Sequence, residues 1–290
     1  MKTLCIVACH TSTELKTKSL VSNIKYFDEI SDHIHIINSD EFKDQGIESM
    51  LADYPDITYS YIPNDNLVCQ GKWKSYLENN DYSDYDKIIL TNDSFLVLGS
   101  LQPIIDASEG FELFGINDSR EIKYHITDYF RIYTKDAIDK LLDFYNDKIS
   151  KFSLVSYDEV VRKLEVESTY AFDDYTYDAF QKIDLRYKKN IFFDDEILEN
   201  LLDKGFPIVK LRKLGYTVYD NTDKPELPSD FDWQEYKDLH PDLSHFNKHF
   251  AELHFVQDGI HEGRPYKVNQ KMNYPEYLTK AVEKELSNDG

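Results

Sequence analysis

Four short stretches of the chain combine residue types that do chemistry. Asn92-Asp93-Ser94 follows the apolar run 87–90. A carboxylate at the carboxyl end of a strand is placed to hold Mg²⁺ or Mn²⁺ against a diphosphate, because such hard ions use few protein carboxylates and complete their shell with substrate oxygens. Asp93 reads equally as the cap of the next turn. Pro63-Asn64-Asp65-Asn66 is a turn cluster, followed by Gly71-Lys72-Trp73. Lys72 there suits a phosphate. Trp73 either stacks on a base or sugar or enters the core. Asn117-Asp118-Ser119 precedes His125. Asp118 suits a general base toward an acceptor hydroxyl, and His125 is either a metal or diphosphate ligand or a structural residue. Tyr157-Asp158-Glu159 opens a helical pattern. Its acids serve either as a base facing a cleft or as partners of the helix dipole.

The elements that must position these residues alternate. Compact apolar runs at 4–9, 33–37, 57–62, 85–90, 111–116 and 126–133 read as strands. Helical spacing falls at 13–28, from 72 to 78, and at 137–145, 157–164 and 196–202. Strands alternating with helices predict an α/β fold with a mostly parallel mixed sheet flanked by helices. Ligands of open α/β sheets bind beyond the carboxyl ends of the strands. His10, residues 64–66, 92–94 and 117–118 are distant in sequence, yet this fold brings them to one edge.

The 290 residues carry a formal charge of −21, with 41% hydrophobic and 30% charged residues. That balance disfavours a bare nucleic-acid backbone and an anionic membrane surface. An anionic ligand would need screening, and a divalent cation is the obvious source. The three cysteines, Cys5, Cys9 and Cys69, form no disulfide framework and fit a reducing compartment. No secretory leader and no membrane span is legible, so the expectation is a cytoplasmic protein. Heavy use of Asp, Asn, Lys and Tyr points to an AT-rich genome, such as that of a large DNA virus, and then to the host cytoplasm. Glycine-rich phosphate loops and nucleophile elbows are absent. The expected organisation is a domain at 1–222, a linker at 223–229, a small helical module at 230–267 and a polar tail at 268–290. The module is aromatic and carries five of the nine histidines. Trp233, Tyr236, Phe246, Phe250 and Phe255 are expected to form its core.

Several pieces resemble, in order, the rhamnan-synthesis type of glycosyltransferase, whose nucleotide-diphospho-sugar transferase domain is of the GT-A class. They are IPNDNLVCQGKWKSYL (62–77), IILTNDSFLVLGSLQPII (88–105), FELFGINDSREIKYHITDYFRIYTKDAI (111–138) and LLDKGFPIVKLRKL (201–214). The likeness spans about three-quarters of the chain. FDWQEYKDLHPDL and HFVQDGIHEGRPY (231–266) resemble a helical motif found beside glycosyltransferases. The resemblance implies a metal-assisted, inverting transfer of a sugar from a UDP- or dTDP-sugar, rhamnose-like among the options, to a hydroxyl of a glycan or glycoprotein. It implies Asp93 as metal ligand, with Thr91 standing where the first acid of the usual Asp-x-Asp would be. It places Ala8, Cys9 and His10 in the nucleotide pocket beside Asn92 and Ser94, Asn64 and Asp65 near the nucleoside, and Lys72 near the phosphates. Asp118, Asp158 and Glu159 stay open as the base. The rival readings are an inactive glycan-binding or assembly protein and another nucleotide-diphosphate-sugar enzyme.

Overall fold

The computed structural model describes residues 1–152, 156–172, 176–182, 191–215, 227–260, 263–272 and 274–286. Its strands, in chain order, are β1 (Thr3–Ala8), β2 (His33–Ser39), β3 (Ile57–Ile62), β4 (Lys87–Asn92), β5 (Phe95–Val97), β6 (Leu113–Ser119), β7 (His125–Ile126), β8 (Phe130–Thr134), β9 (Tyr177–Gln181) and β10 (Ile208–Lys210). The chain divides into two compact units. One comprises Met1–His10, Ile24–Asp93 and Ser100–Ile191, and the other Thr11–Asn23, Ser94–Gly99 and Phe192–Gly290.

The first unit is an α/β layer structure built on an eight-stranded, mostly parallel mixed sheet of order β3-β2-β1-β4-β8-β6-β7, with β9 paired to β6. The pairs β1–β2, β2–β3, β1–β4 and β6–β9 are parallel. β8 is antiparallel to both β4 and β6, and the short β7 is antiparallel to β6. Every residue of β1 is buried, as expected of a central strand covered on both faces. Leu4, Ile6 and Ala8 join one apolar cluster with Trp73, Tyr76 and Leu77 of the helix Val68–Asn79. Ala137, Ile138, Leu141 and Tyr145 complete it from one face of the helix Lys135–Lys151.

The strand expected at 126–133 is two strands. β7 pairs Ile126 with Asp118 and His125 with Ser119, whereas β8 pairs Arg131 with Gly115 and Tyr133 with Leu113. The register slips between them, and residues 127–129 bulge out of the ladder. Gly115 permits the crossing, since a Cβ there would sit 2.1 Å from Ile126 Cγ2. Arg131, 1% exposed, holds the bulge from within. Its Nε donates to Thr127 O at 3.1 Å, Nη2 to Ile126 O, and Nη1 to Ser168 Oγ at 2.7 Å. The carbonyls of Ile126 and Thr127, where the ladder breaks, therefore have a side-chain partner.

In the second unit, β5 pairs antiparallel with β10. Asn23 acts as an extra strand partner, donating from Nδ2 to Phe95 O at 2.8 Å and accepting from Val97 N at 2.7 Å. The helices Trp233–Leu239 and Lys248–His254 are capped by Asp232 and Asn247. Tyr236, Leu243, Ala251, Phe255, Ile260 and Tyr266 form the core of this stretch, with Trp233 and Phe246 half-buried against it. Phe250 departs from the expectation: it is 53% exposed, because the adjacent Ala251 takes the inward position. Thr279–Leu286 is helical and buries Val282. Residues 223–226 of the expected linker lie outside the described residues. Among the described residues, no helix is long and apolar enough to cross a membrane.

Candidate functional site

β1 lies between β2 and β4, all parallel: the chain winds outward from β1 through β2 to β3 and then crosses to β4 on the other side of β1, which reverses the strand order there. The crevice beyond such a reversal is the usual ligand position in an open α/β sheet. The strands end together, with Ala8 opposite both Ile37 and Asn92. Cys9 N extends the ladder to Ile37 O at 2.8 Å. His10 N then donates to Asp93 Oδ2 at 2.7 Å, joining the exits of β1 and β4. Ala8 and Cys9 are 1% exposed, so they offer this edge their backbone.

The helix Val68–Asn79 delivers the cation. Val68 at its start has φ 54°, a left-handed conformation that costs a β-branched residue about 1–3 kcal/mol. Leu67 N donates to Asp65 Oδ1 at 2.9 Å. A Cβ on Gly71 would meet that same oxygen at 2.6 Å, which accounts for the glycine. Lys72 is 4% exposed. Its Nζ donates to Cys9 O at 2.7 Å and to Ser39 Oγ at 2.9 Å. No carboxylate pairs with it among the described residues. Ser39 Oγ is also 2.9 Å from His10 Nδ1, so lysine, serine and histidine form one hydrogen-bonded chain across the ends of β1 and β2. The His10 ring rests edge-on against Phe42 at 4.9 Å and lies 3.6 Å from Glu41.

Beside Lys72 the same helix supplies Cys69 and Gln70. Asn92 Nδ2 points at Cys69 Sγ, 3.5 Å away. Burial pushes the Cys69 thiol up to about 12, and the negative charges of Asp128 and Asp93 push the same way against Lys72. The thiol is thus a protonated, inert group at neutral pH. Gln70 Nε2 donates to Asp128 Oδ2, which fixes the acid displayed by the bulge. Asp128 N lies 3.4 Å from Glu165 Oε1.

The remaining expected residues lie elsewhere or face other partners. Trp73, 1% exposed, is in the core, and its Nε1 donates to Thr91 O at 3.1 Å. Asn64 and Asp65 are exposed on the turn before the helix. Ser94 belongs to the second unit, where its hydroxyl accepts from Lys210 Nζ at 2.7 Å. Asp118 is buried within β6 rather than beyond it. His125 donates from Nδ1 to Lys123 O at 2.8 Å and has Nε2 3.6 Å from Glu165. Glu159 forms a capping box with Ser156: Ser156 N and Glu159 Oε2 are 3.2 Å apart, Glu159 N and Ser156 Oγ 3.3 Å. The side chain of Asp158 lies outside the described residues. Sequence reasoning passed over Ser39, Gln70 and Asp128. Ser39 ends an apolar strand and was legible as such, whereas Asp128 was hidden inside the strand expected at 126–133.

These residues do not form a preassembled cage for a divalent ion. Among the described residues, no three His, Cys, Asp or Glu side chains converge as a ligand set. Thr91, at the first-acid position, spends its hydroxyl on Tyr129 O at 2.9 Å. Asp128 is engaged by Gln70, and His125 sits with Lys123 and Glu165. Asp93 alone is left as a carboxylate donor beyond β4.

No protein-family model and no curated protein matches the sequence. Solved structures do align. One is 4-diphosphocytidyl-2C-methyl-D-erythritol synthase from Anaerococcus prevotii, at 12% identity and a TM-score of 0.43 over 68% of this chain and 93% of that one. The galactosyltransferase LgtC, solved with donor and acceptor sugar analogues, aligns at 11% identity and a TM-score of 0.39 over 57% and 71%. An inositol-1-phosphate CTP transferase from T. maritima aligns at 16% identity and a TM-score of 0.38 over 62% and 85%.

Proposed function

We propose that the chain is a nucleotide-diphospho-sugar transferase that uses the β1–β4 edge as its donor site. The observation that carries this reading is Lys72, a buried ammonium with neutral partners at the ends of β1 and β2, of which β1 borders the switch point. Lysine is seldom buried without a counter-charge, and a ligand anion such as a diphosphate supplies one. The ordered likeness of the four sequence stretches to the rhamnan-synthesis glycosyltransferases narrows the anion to a sugar nucleotide, UDP- or dTDP-linked, with a glycan or glycoprotein as acceptor.

In this reading the acceptor oxygen attacks the anomeric carbon. The bond from that carbon to the diphosphate oxygen breaks, its electron pair leaves with the nucleoside diphosphate, and the acceptor proton passes to a carboxylate. A single displacement inverts the anomeric centre. Lys72 meets the charge that develops on the leaving group, where a preorganised cation is most effective. Asp93 orients the His10 backbone. Asp118→Asn, Asp158→Asn and Glu159→Gln variants divide the role of base among the acids that sequence left open.

A thermal-shift screen of nucleoside diphosphates and their sugars tests the reading. A ligand that binds only the native state raises the midpoint by mass action. One diphosphate is expected to stabilise the chain, and its sugar conjugate to be consumed when a glycan acceptor is added. Consumption without any acceptor would make it a hydrolase or a nucleotidyl enzyme, and binding without turnover a glycan-assembly protein. No shift from any nucleotide would sink the proposal.

A further inference from the structure

We infer that Lys72, rather than a protein-held divalent ion, neutralises the diphosphate of the ligand. The inference rests on the nucleotide-diphosphate reading above and concerns the same edge. Two independent observations meet there. The potential metal donors other than Asp93 are engaged by other groups: Thr91 by a backbone carbonyl, Asn92 by Cys69, and Asp128 by Gln70. A one-carboxylate site leaves nearly all coordination to the substrate and to water, so an ion there would arrive with the diphosphate and would not stand as a charge already in the protein.

Lys72, in contrast, is already a fixed positive charge. An ammonium has three donors. Two of them are given to Cys9 O and Ser39 Oγ, which pin Nζ between the ends of β1 and β2. Both acceptors are uncharged, and among the described residues no carboxylate comes within ion-pair distance of Nζ, although Asp93 and Asp128 act on the neighbouring Cys69. The third N–H has no acceptor among the described residues, and the side chain is 4% exposed. Desolvating an ion in this way is costly unless an opposite charge arrives. A phosphate oxygen provides the third acceptor and the missing charge at once, and Lys acts toward phosphate as a point charge. Ser39 and His10 brace the ammonium, which keeps it in place between turnovers.

The experiment is calorimetric titration of the full chain with UDP, dTDP, GDP, CDP and ADP, in EDTA and then in excess Mn²⁺. The diphosphate that binds is expected to do so in EDTA within about threefold of its affinity in Mn²⁺, a difference of less than 1 kcal/mol. Lys72→Met should lower that affinity by about tenfold or more in both buffers, and Lys72→Arg should recover part of it. The thermal midpoint without ligand reports whether each variant folds. If Lys72→Met does not fold, the comparison of the two buffers on the unaltered chain, together with Lys72→Arg, decides the matter. Binding that appears only with Mn²⁺, or a folded Lys72→Met that binds normally, overturns the inference and leaves the nucleotide reading standing. Failure of every diphosphate in both buffers overturns the reading itself and the inference with it.

Discussion

Two polar clusters lie toward the carboxyl edge of the same sheet and differ in what satisfies them. In the β6–β7 hairpin, Asn117 is saturated by its own neighbourhood. Its Nδ2 donates to Asp118 O at 2.7 Å, its carbonyl accepts from Thr127 Oγ1 at 2.9 Å, and its Oδ1 accepts from Tyr129 O–H. His125 likewise spends its Nδ1 proton on a nearby carbonyl. At the ends of β1 and β2, Lys72 is buried against neutral acceptors. Both clusters looked alike as sequence, a strand followed by Asn-Asp-Ser. The difference lies in charge: the hairpin's polar groups are answered locally, whereas the cation beside the other motif has only neutral acceptors, which is the feature the proposed ligand would answer.

The contrast predicts opposite signs on mutation. Asn117→Ala removes the acceptor of a buried hydroxyl network and should cost about 3 kcal/mol in urea denaturation. Diphosphate affinity of the folded variant should stay within about twofold. A larger loss of affinity than of stability would break the comparison by making the hairpin part of the site.

A third cluster sharpens it through pH. His35 on β2 bonds Thr58 Oγ1 at 2.7 Å and Ser60 Oγ at 2.9 Å and packs at a tilt of 47° against Tyr76. Burial, helped by nearby His33, lowers the ring from its ordinary range to about 4. The unfolded chain therefore takes up a proton near pH 6.5 that the folded chain refuses until about pH 4. His35's contribution is present above pH 6.5, is lost as pH falls through that window, and levels off below it. The loss should reach about 2 kcal/mol after allowance for solvent screening. His35→Gln should flatten the dependence of Tm on pH in that window. A slope unchanged by the substitution would show that the cluster is not what resists protonation.

Lys72→Met makes a smaller change, in the other direction. Removing an uncompensated buried charge in favour of an apolar chain of similar length should leave unliganded stability unchanged or raise it by about 1 kcal/mol. A marked loss would assign Lys72 to the same structural class as Asn117. The smallest effect is expected at Gly71. Alanine in a helix usually stabilises by about 0.5–1 kcal/mol over glycine. Here it should destabilise slightly, because its Cβ would displace the Asp65 carboxylate. A gain in midpoint would show that the turn at 63–66 yields freely.

Much of the fold was legible. Residues 57–62 are a strand to the residue although β3 lies at the sheet edge, and β1, β2 and β4 begin or end within two residues of expectation, because covered strands read as largely apolar runs. The break at 127–129 was not legible. Ile126-Thr-Asp-Tyr-Phe-Arg has ordinary strand character, and only the pairing of both halves with β6 forces the slip. That one misreading hid Asp128. The helix Val68–Asn79 starts earlier than the spacing from residue 72 suggested, since Val68 enters it in a conformation that its residue type disfavours.

The sequence by itself determined the alternation of strands and helices, the acidic surface, and the candidate residues His10, Lys72 and Asp93 at strand and helix ends. Those properties follow from local pattern and composition. The tertiary structure alone decided which of these residues act together. Lys72 reaches Cys9 and Ser39 across 63 and 33 residues of chain, and whether a buried charge finds a counter-charge depends on every element packed around it.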